Sequence, residues 1–301
     1  MLNIFSKLKE GRSSKSSHPS AEPPGWAPAQ ETVHQWGLYN ESSEEDYQAA
    51  IDFCLRYPLQ PPRLVPSNAL DVIRQEGSRA WGIQIPSQEI RRFSGKITNI
   101  SLKGAPVVIV ETDDRCGSFC LMSDLPIMAG LYDVSRQNGV YFEVKIVKMF
   151  PPQSYLAIGT ACQPYPNFRF PGWNRESAGL HLDDLRKFFE DPDGGRDYNV
   201  PFDRIRGGDI IGCGYEYATS SLFYTWNGMR LENAFHGIYL PRNQYDVFAA
   251  IGVHGGVHFE VNYGGDVFKW KEGNEWQWKV DGVFARLGDT YGDGEELPAY
   301  S

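Results

Sequence analysis

Between Trp81 and Tyr263, apolar residues recur at every second position in a series of short runs. They are Trp81–Ile85, Lys96–Leu102, Val107–Glu111, Phe119–Met122, Val140–Val147, Tyr155–Gly159, Ile210–Tyr217, Leu222–Trp226, Val247–Val253 and Val257–Tyr263. A period of two puts such side chains on one face of a strand. Roughly ten short strands separated by turn residues predict an all-β fold, a sandwich of two antiparallel sheets. The pattern is clearest in Gly208–Gly228, which reads as part of a three-stranded meander. Ile211, Cys213, Tyr215 and Tyr217 share one face, Ala218–Ser221 form a turn, and Leu222, Tyr224 and Trp226 resume the alternation toward the core. Asn227-Gly228 then supplies the two positive-φ residues of a type I′ hairpin.

Upstream the period lengthens. Ser42–Tyr57 predicts a helix, with Ser43 three residues before Asp46 in a loose capping arrangement and Tyr47, Ile51, Cys54 and Leu55 on one face. Pro58 ends it, and Pro61-Pro62 keeps the chain extended. Ser67 is expected to cap a second helix, Asn68–Glu76, stopped by Gly77. Both helices are expected to pack on an edge of the sandwich. Gln163–Gly207 reads as a long loop, and long loops on a rigid sandwich are where binding usually resides. The expected organisation is a disordered leader (1–43), a helical segment (44–80), the sandwich (81–280) and a flexible acidic tail (281–301).

Composition narrows the function. A net charge of −9 argues against nucleic acid. Five scattered cysteines read as small buried hydrophobes of a reducing compartment. No apolar run approaches the roughly 20 residues of a membrane-spanning helix, and the N-terminus lacks a secretory signal, so a cytosolic protein is expected. Leu2, Ile4, Phe5 and Leu8 on a basic leader form a short stripe that allows a peripheral membrane contact.

Catalytic constellations are sparse. His254, His258 and Glu260 would face one way on an unbroken strand, but Gly255-Gly256 predicts a bulge or turn between them, so no metal is expected. There is no Gly-x-Ser-x-Gly elbow and no phosphate-cradling loop. Glu143, Glu216 and Glu260 are the strand carboxylates that a lectin-like or sugar-hydrolysing sandwich would use, without the paired run that a glycosidase needs. No catalytic residue and no cofactor is expected. In the long loop, Tyr165, Phe168, Phe170 and Trp173 lie beside Arg169 and Arg175, a composition typical of interface anchors.

Gly-Asp-Ile-Ile-Gly-Cys-Gly from Gly208, followed by a hydrophobic strand and an Asn-Gly turn, resembles the central signature of SPRY domains. Val140–Ile146, Ala157–Gly159, Pro171-Gly-Trp173, Phe248–Gly252 and Val261–Gly264 resemble its other blocks in order. The resemblance implies a non-catalytic, concanavalin-like sandwich that binds a target protein or peptide through its loops. It makes Trp173 and Phe170 structural plugs and leaves Phe168 and Arg169 as contact candidates. Gly179–Asp184 resembles the family's Gly-Tyr-His-x-Asp-Asp-Gly, which adds His181, Asp183 and Asp184 as binding candidates, with Leu180 and Leu185 as departures.

The tail carries Leu297-Pro298-Ala299-Tyr300, a variant of the Pro-Pro-x-Tyr ligands of WW domains. Proline pre-sets the extended geometry, and the tyrosine fills a second pocket. Together with the SPRY blocks and preceding helices, this resembles fungal SPRY-domain adaptors of WW-domain HECT-type ubiquitin ligases. The resemblance implies a role in endosomal or vacuolar protein sorting or turnover. Those adaptors also carry a transmembrane segment before the SPRY domain. Its absence here implies a soluble relative or an incomplete gene product.

Overall fold

The computed structural model describes residues 43–87, 91–99 and 107–276. The leader with its Leu2–Leu8 stripe and the tail with Leu297, Pro298 and Tyr300 lie outside the described residues. Helix α1 spans Glu44–Arg56, and the Ser43 side chain accepts from the Asp46 backbone N–H, the expected cap. Glu44, Glu45 and Asp46 in its first turn complement the helix dipole. Helix α2 spans Ser67–Glu76; Pro66, not Ser67, occupies the N-cap position, and Gly77 closes the helix at φ +60°. The proline side chain has no oxygen to accept from the first-turn N–H groups, so no side-chain cap forms. Among the described residues, no helix is long and apolar enough to cross a membrane.

Among the described residues, fourteen strands form two antiparallel sheets. Their ranges are β1 Gly95–Asn99, β2 Val108–Thr112, β3 Phe119–Met122, β4 Met128–Ala129, β5 Gly139–Met149, β6 Tyr155–Cys162, β7 Ser177–His181, β8 Arg186–Phe189, β9 Arg196–Asp197, β10 Ile210–Glu216, β11 Ser221–Trp226, β12 Met229–His236, β13 Asp246–His254 and β14 Val257–Asn262. The first sheet runs β1-β2-β14-β5-β10-β11-β12; the second runs β3-β13-β6-β7-β8-β9, with β4 beside β13. The expected meander is β10-β11-β12, with Asn227 at φ +50° and Gly228 at +85° in its hairpin turn. Two expectations need correcting. Trp81–Ile85 makes only an isolated bridge, Ile83 to Ser123. Gln163–Gly207 is not one loop, because β7, β8 and β9 lie inside it and β7 pairs along β6.

The inward faces meet in one apolar core. Phe142, Val144 and Ile146 of β5, Leu222 and Tyr224 of β11, and Phe259 of β14 face Leu156 and Ile158 of β6 and Ile251 and Val253 of β13, all fully buried or nearly so. Trp226 shares the inward face of β11 but stays partly exposed against Phe202, ring centroids 4.9 Å apart.

The outward face of the first sheet is also closed over part of its width. Tyr141 and Phe223 are covered by Phe268, Trp270 and Trp276 from the segment after β14. A β-carbon at Gly212 would lie 2.0 Å from the Tyr141 hydroxyl, and one at Gly214 would lie 2.4 Å from the Phe223 ring. The glycines of Gly212-Cys213-Gly214 therefore make room for aromatic rings. Glu143 fixes this cover: it accepts from the backbone N–H groups of Lys269 (2.9 Å) and Trp270 (3.0 Å) and from the Tyr141 hydroxyl (2.8 Å).

Candidate protein-interaction surface

The outward face of the second sheet is overlaid by the segment that follows β6. Gly179 and Gly252 leave the sheet flat where it crosses. A β-carbon would stand 2.1 Å from the Pro171 carbonyl oxygen at Gly179 and 2.8 Å from the Phe170 ring at Gly252. Gly172, at φ +96°, adopts a conformation that only glycine holds without strain. The Tyr165 hydroxyl donates to the Phe170 carbonyl at 2.6 Å, and the Gly172 N–H donates to Ser177 Oγ at 2.9 Å. Phe170 and Trp173 stack at 5.3 Å, both buried. They are the structural plugs that the sequence suggests.

Arg169, expected as a contact residue, is buried and not presented at the surface. It is 1% exposed, its Nε donates to Asn174 Oδ1 at 2.9 Å, and its guanidinium lies 4.5 Å over the Trp173 ring. Burial lowers its pKa, and nearby charges, Tyr165 first and then Asp46, oppose that. The segment is fastened to α1: Arg175 donates to the Cys54 carbonyl at 2.6 Å, to the Tyr57 carbonyl and to Pro164 O at 3.1 Å. Arg92 grips both Asp46 carboxylate oxygens (2.6 and 2.8 Å) and lies over the half-buried Phe168 at 5.3 Å. Phe168 keeps part of its ring at the surface beside this paired cation.

His181, another expected contact, is buried as well. It is 2% exposed and stacks on Phe188 at 4.0 Å. Its Nε2 is 3.0 Å from the Pro171 carbonyl, which only accepts, so Nε2 carries the proton. Burial pushes its pKa down to about 3, and the ring is neutral. It props up the overlay.

Asp183 and Asp184 sit half-buried in the turn after β7. Burial, reinforced by the charge of Asp184, pushes the Asp183 carboxyl up to about 7; burial pushes Asp184 to about 6. Asp184 accepts from the Arg186 N–H at 3.0 Å, whereas both Asp183 oxygens are buried without a hydrogen-bond partner. Two further half-buried residues of the same outward face pair across the neighbouring strands, His254 with Tyr155, their rings 5.4 Å apart. Ser118 Oγ lies 3.2 Å from His254 Nδ1. At that end the Gly117 N–H donates to the Arg92 carbonyl at 2.8 Å, which brings Arg92 and Phe168 alongside. Ser118, His254 and Tyr155 thus mark a polar rim beside the aromatic overlay, next to Asp183, whose carboxyl is buried. Ser118 and Tyr155 carry no signal in the sequence, and His254 suggests only a metal.

The remaining polar candidates are engaged in structural contacts. The turn at Gly255 (φ +67°) sends His254 and His258 into different sheets, and His258 lies 3.7 Å from Glu111. Among the described residues, no group of three His, Cys, Asp or Glu side chains could hold a metal ion. Glu143 and Glu260 line a cleft of about 500 Å³ on the outward face of the first sheet, with Lys145, Lys269 and Lys271. Glu143 holds the aromatic cover, and Glu260 pairs with Lys145 at 3.0 Å. Glu216, away from this cleft, pairs with Arg230 at 3.4 Å.

Residues 139–266 match the SPRY domain family. Protein ssh4 of Sclerotinia sclerotiorum is 32% identical over 213 residues, covering 68% of this chain and 34% of that protein. The SPRY domain-containing protein C285.10c of Schizosaccharomyces pombe is 30% identical over 269 residues, covering 88% of this chain and 60% of that protein. The chain thus spans 34% to 60% of the length of these relatives. A crystal structure of a human SPRY domain aligns at 24% identity and TM-score 0.39, covering 53% of this chain and 96% of that one.

Proposed function

We propose, from the premise that this chain is a SPRY-domain protein related to the fungal ssh4 proteins, that it is a non-catalytic adaptor joining a target protein to a ubiquitin ligase. The SPRY domain is a protein-interaction module. Its target contact is the rim of Ser118, His254, Tyr155 and Asp184 together with Phe168, while Arg169, His181 and the buried carboxyl of Asp183 support it from beneath. The Leu297-Pro298-Ala299-Tyr300 motif recruits a WW-domain HECT-type ligase, in ubiquitin-dependent sorting or turnover at endosomal or vacuolar membranes. An adaptor needs no chemistry of its own, because holding both partners raises the effective concentration of the target's lysines near the ligase.

The observation that carries this reading is the pairing, in one chain, of the SPRY match over residues 139–266 with the sequence Leu297-Pro298-Ala299-Tyr300 beyond it. Affinity purification of the full chain and of Tyr300→Ala in parallel tests it. The expected result is loss of the ligase from the variant with the target retained. Retention of the ligase by Tyr300→Ala would overturn the recruitment step.

A further inference from the structure

The segment joining α1 to α2 reads Tyr57-Pro58-Leu59-Gln60-Pro61-Pro62-Arg63-Leu64-Val65-Pro66. Proline fixes φ and pushes the preceding residue toward extended backbone, so this composition favours polyproline II, with three residues per turn. Exposure along the segment follows that period of three. Leu59 and Pro62 are half-buried and Val65 is 5% exposed, so every third side chain packs on the domain. Pro58 and Pro61 are exposed and Leu64 is 54% exposed, forming a second face. Tyr57 is 47% exposed, and Gln60 and Arg63 are exposed, forming the third. Pro66 closes the segment at φ −54°, ψ 143°, within the polyproline II region.

The conformation is held from the domain side. The Gln60 N–H donates to the Gln163 carbonyl (2.9 Å), the Arg63 N–H to Asp246 Oδ2 (2.9 Å) and the Val65 N–H to the Tyr132 hydroxyl (3.0 Å). Asp246 also accepts from the Gly130 N–H at 2.8 Å, which ties the segment to the strand system. A ligand already fixed in its bound shape loses little entropy on docking.

We infer that Tyr57–Arg63 is a second docking motif, read by a protein domain with an aromatic-lined proline groove of the SH3 type and an acidic group beside it. Pro58 and Pro61, three residues apart, point outward together, as such grooves require. Arg63, two residues beyond Pro61, offers a guanidinium to a carboxylate at the end of the groove. The face such a groove leaves unread is the face spent on the SPRY domain. This chemistry differs from that of the tail motif, which needs a tyrosine, so the two sites recruit different partners.

The test titrates the full chain against a panel of isolated SH3 domains whose grooves carry acidic residues. At least one member is expected to bind saturably, weakened roughly tenfold or more by Pro61→Ala and by Arg63→Glu. Tyr300→Ala should leave that binding unchanged, which separates this site from ligase recruitment. Both substituted side chains are exposed, so thermal midpoints should stay within about 2 °C of wild type. Binding that survives both substitutions, or no saturation by any member, would overturn the inference. So would a free Tyr57–Pro66 peptide that binds a domain the folded chain does not, since the outward faces would then be inaccessible.

Discussion

Both sheets of the sandwich have their outward faces closed by aromatic side chains, but from opposite directions in the sequence. The second sheet is overlaid by Phe170 and Trp173, on a segment that directly follows β6. The first is covered by Phe268, Trp270 and Trp276, brought back onto β5 and β11 by Glu143, 127 positions away from Trp270. In each case glycines on the strands beneath, Gly179 and Gly252 or Gly212 and Gly214, leave the space the aromatic system fills. These four strand glycines make room for the aromatic covers. Both broad faces are thus partly occupied, and Ser118, His254 and Tyr155 stay half-buried at the rim of the second sheet's cover.

The sharpest way to break this comparison is to remove one ring from each cover. Phe170 and Phe223 are both fully buried. Phe170→Ala and Phe223→Ala should each destabilise the protein by about 3–5 kcal/mol in urea unfolding. Trp226→Ala, on the inner face but partly exposed, should cost less, about 2 kcal/mol. If only the Phe170 variant suffers, the cover of the first sheet is an ornament and not a structural counterpart.

The near cover was legible in the sequence, and the far one was not. Pro171-Gly172-Trp173 carries a local motif, and Asn227-Gly228 and Ser43 declare their turn and cap by residue type alone. The partnership of Glu143 with Lys269 and Trp270 joins segments with no local signal between them. The same reason explains Arg169: its neighbours suggest an exposed loop, but it is buried close to Asp46, Tyr47 and Cys54 of α1, which are remote in sequence. Strand β7 escaped because all five of its residues are buried, so it shows no alternation of apolar and polar positions. Strand β12 was implied only by the Asn227-Gly228 turn before it, because as a largely exposed edge strand it shows no apolar alternation of its own.

A smaller effect sharpens the contrast between cover and rim. Asp183 titrates at about 7 in the folded state, above the ordinary 3.8, because burial disfavours its charged form. The folded state therefore holds the proton more tightly than the unfolded chain. Stability from this group is complete below about pH 4 and is lost as pH rises through about 7. Asp183→Asn should be more stable than wild type at pH 8 by about 1–3 kcal/mol relative to their difference at pH 4. Parallel pH–stability curves for the two proteins would show that the carboxylate is not held in this environment.

The smallest effect on folding belongs to Phe168. Its ring is half-buried at the surface, so Phe168→Ala should cost about 1 kcal/mol or less in stability while reducing target capture roughly tenfold in a pull-down. A large loss of stability with capture per folded molecule unchanged would make Phe168 part of the cover instead.

The adaptor reading itself is tested most directly by titrating a Gly294–Ser301 peptide against isolated WW domains, beside ubiquitination of the target by the full chain and by Tyr300→Ala. Saturable binding at tens of micromolar, roughly −6 kcal/mol, is expected, abolished by Tyr300→Ala together with target ubiquitination. No saturable binding by the peptide, with ubiquitination undiminished in the variant, would contradict it.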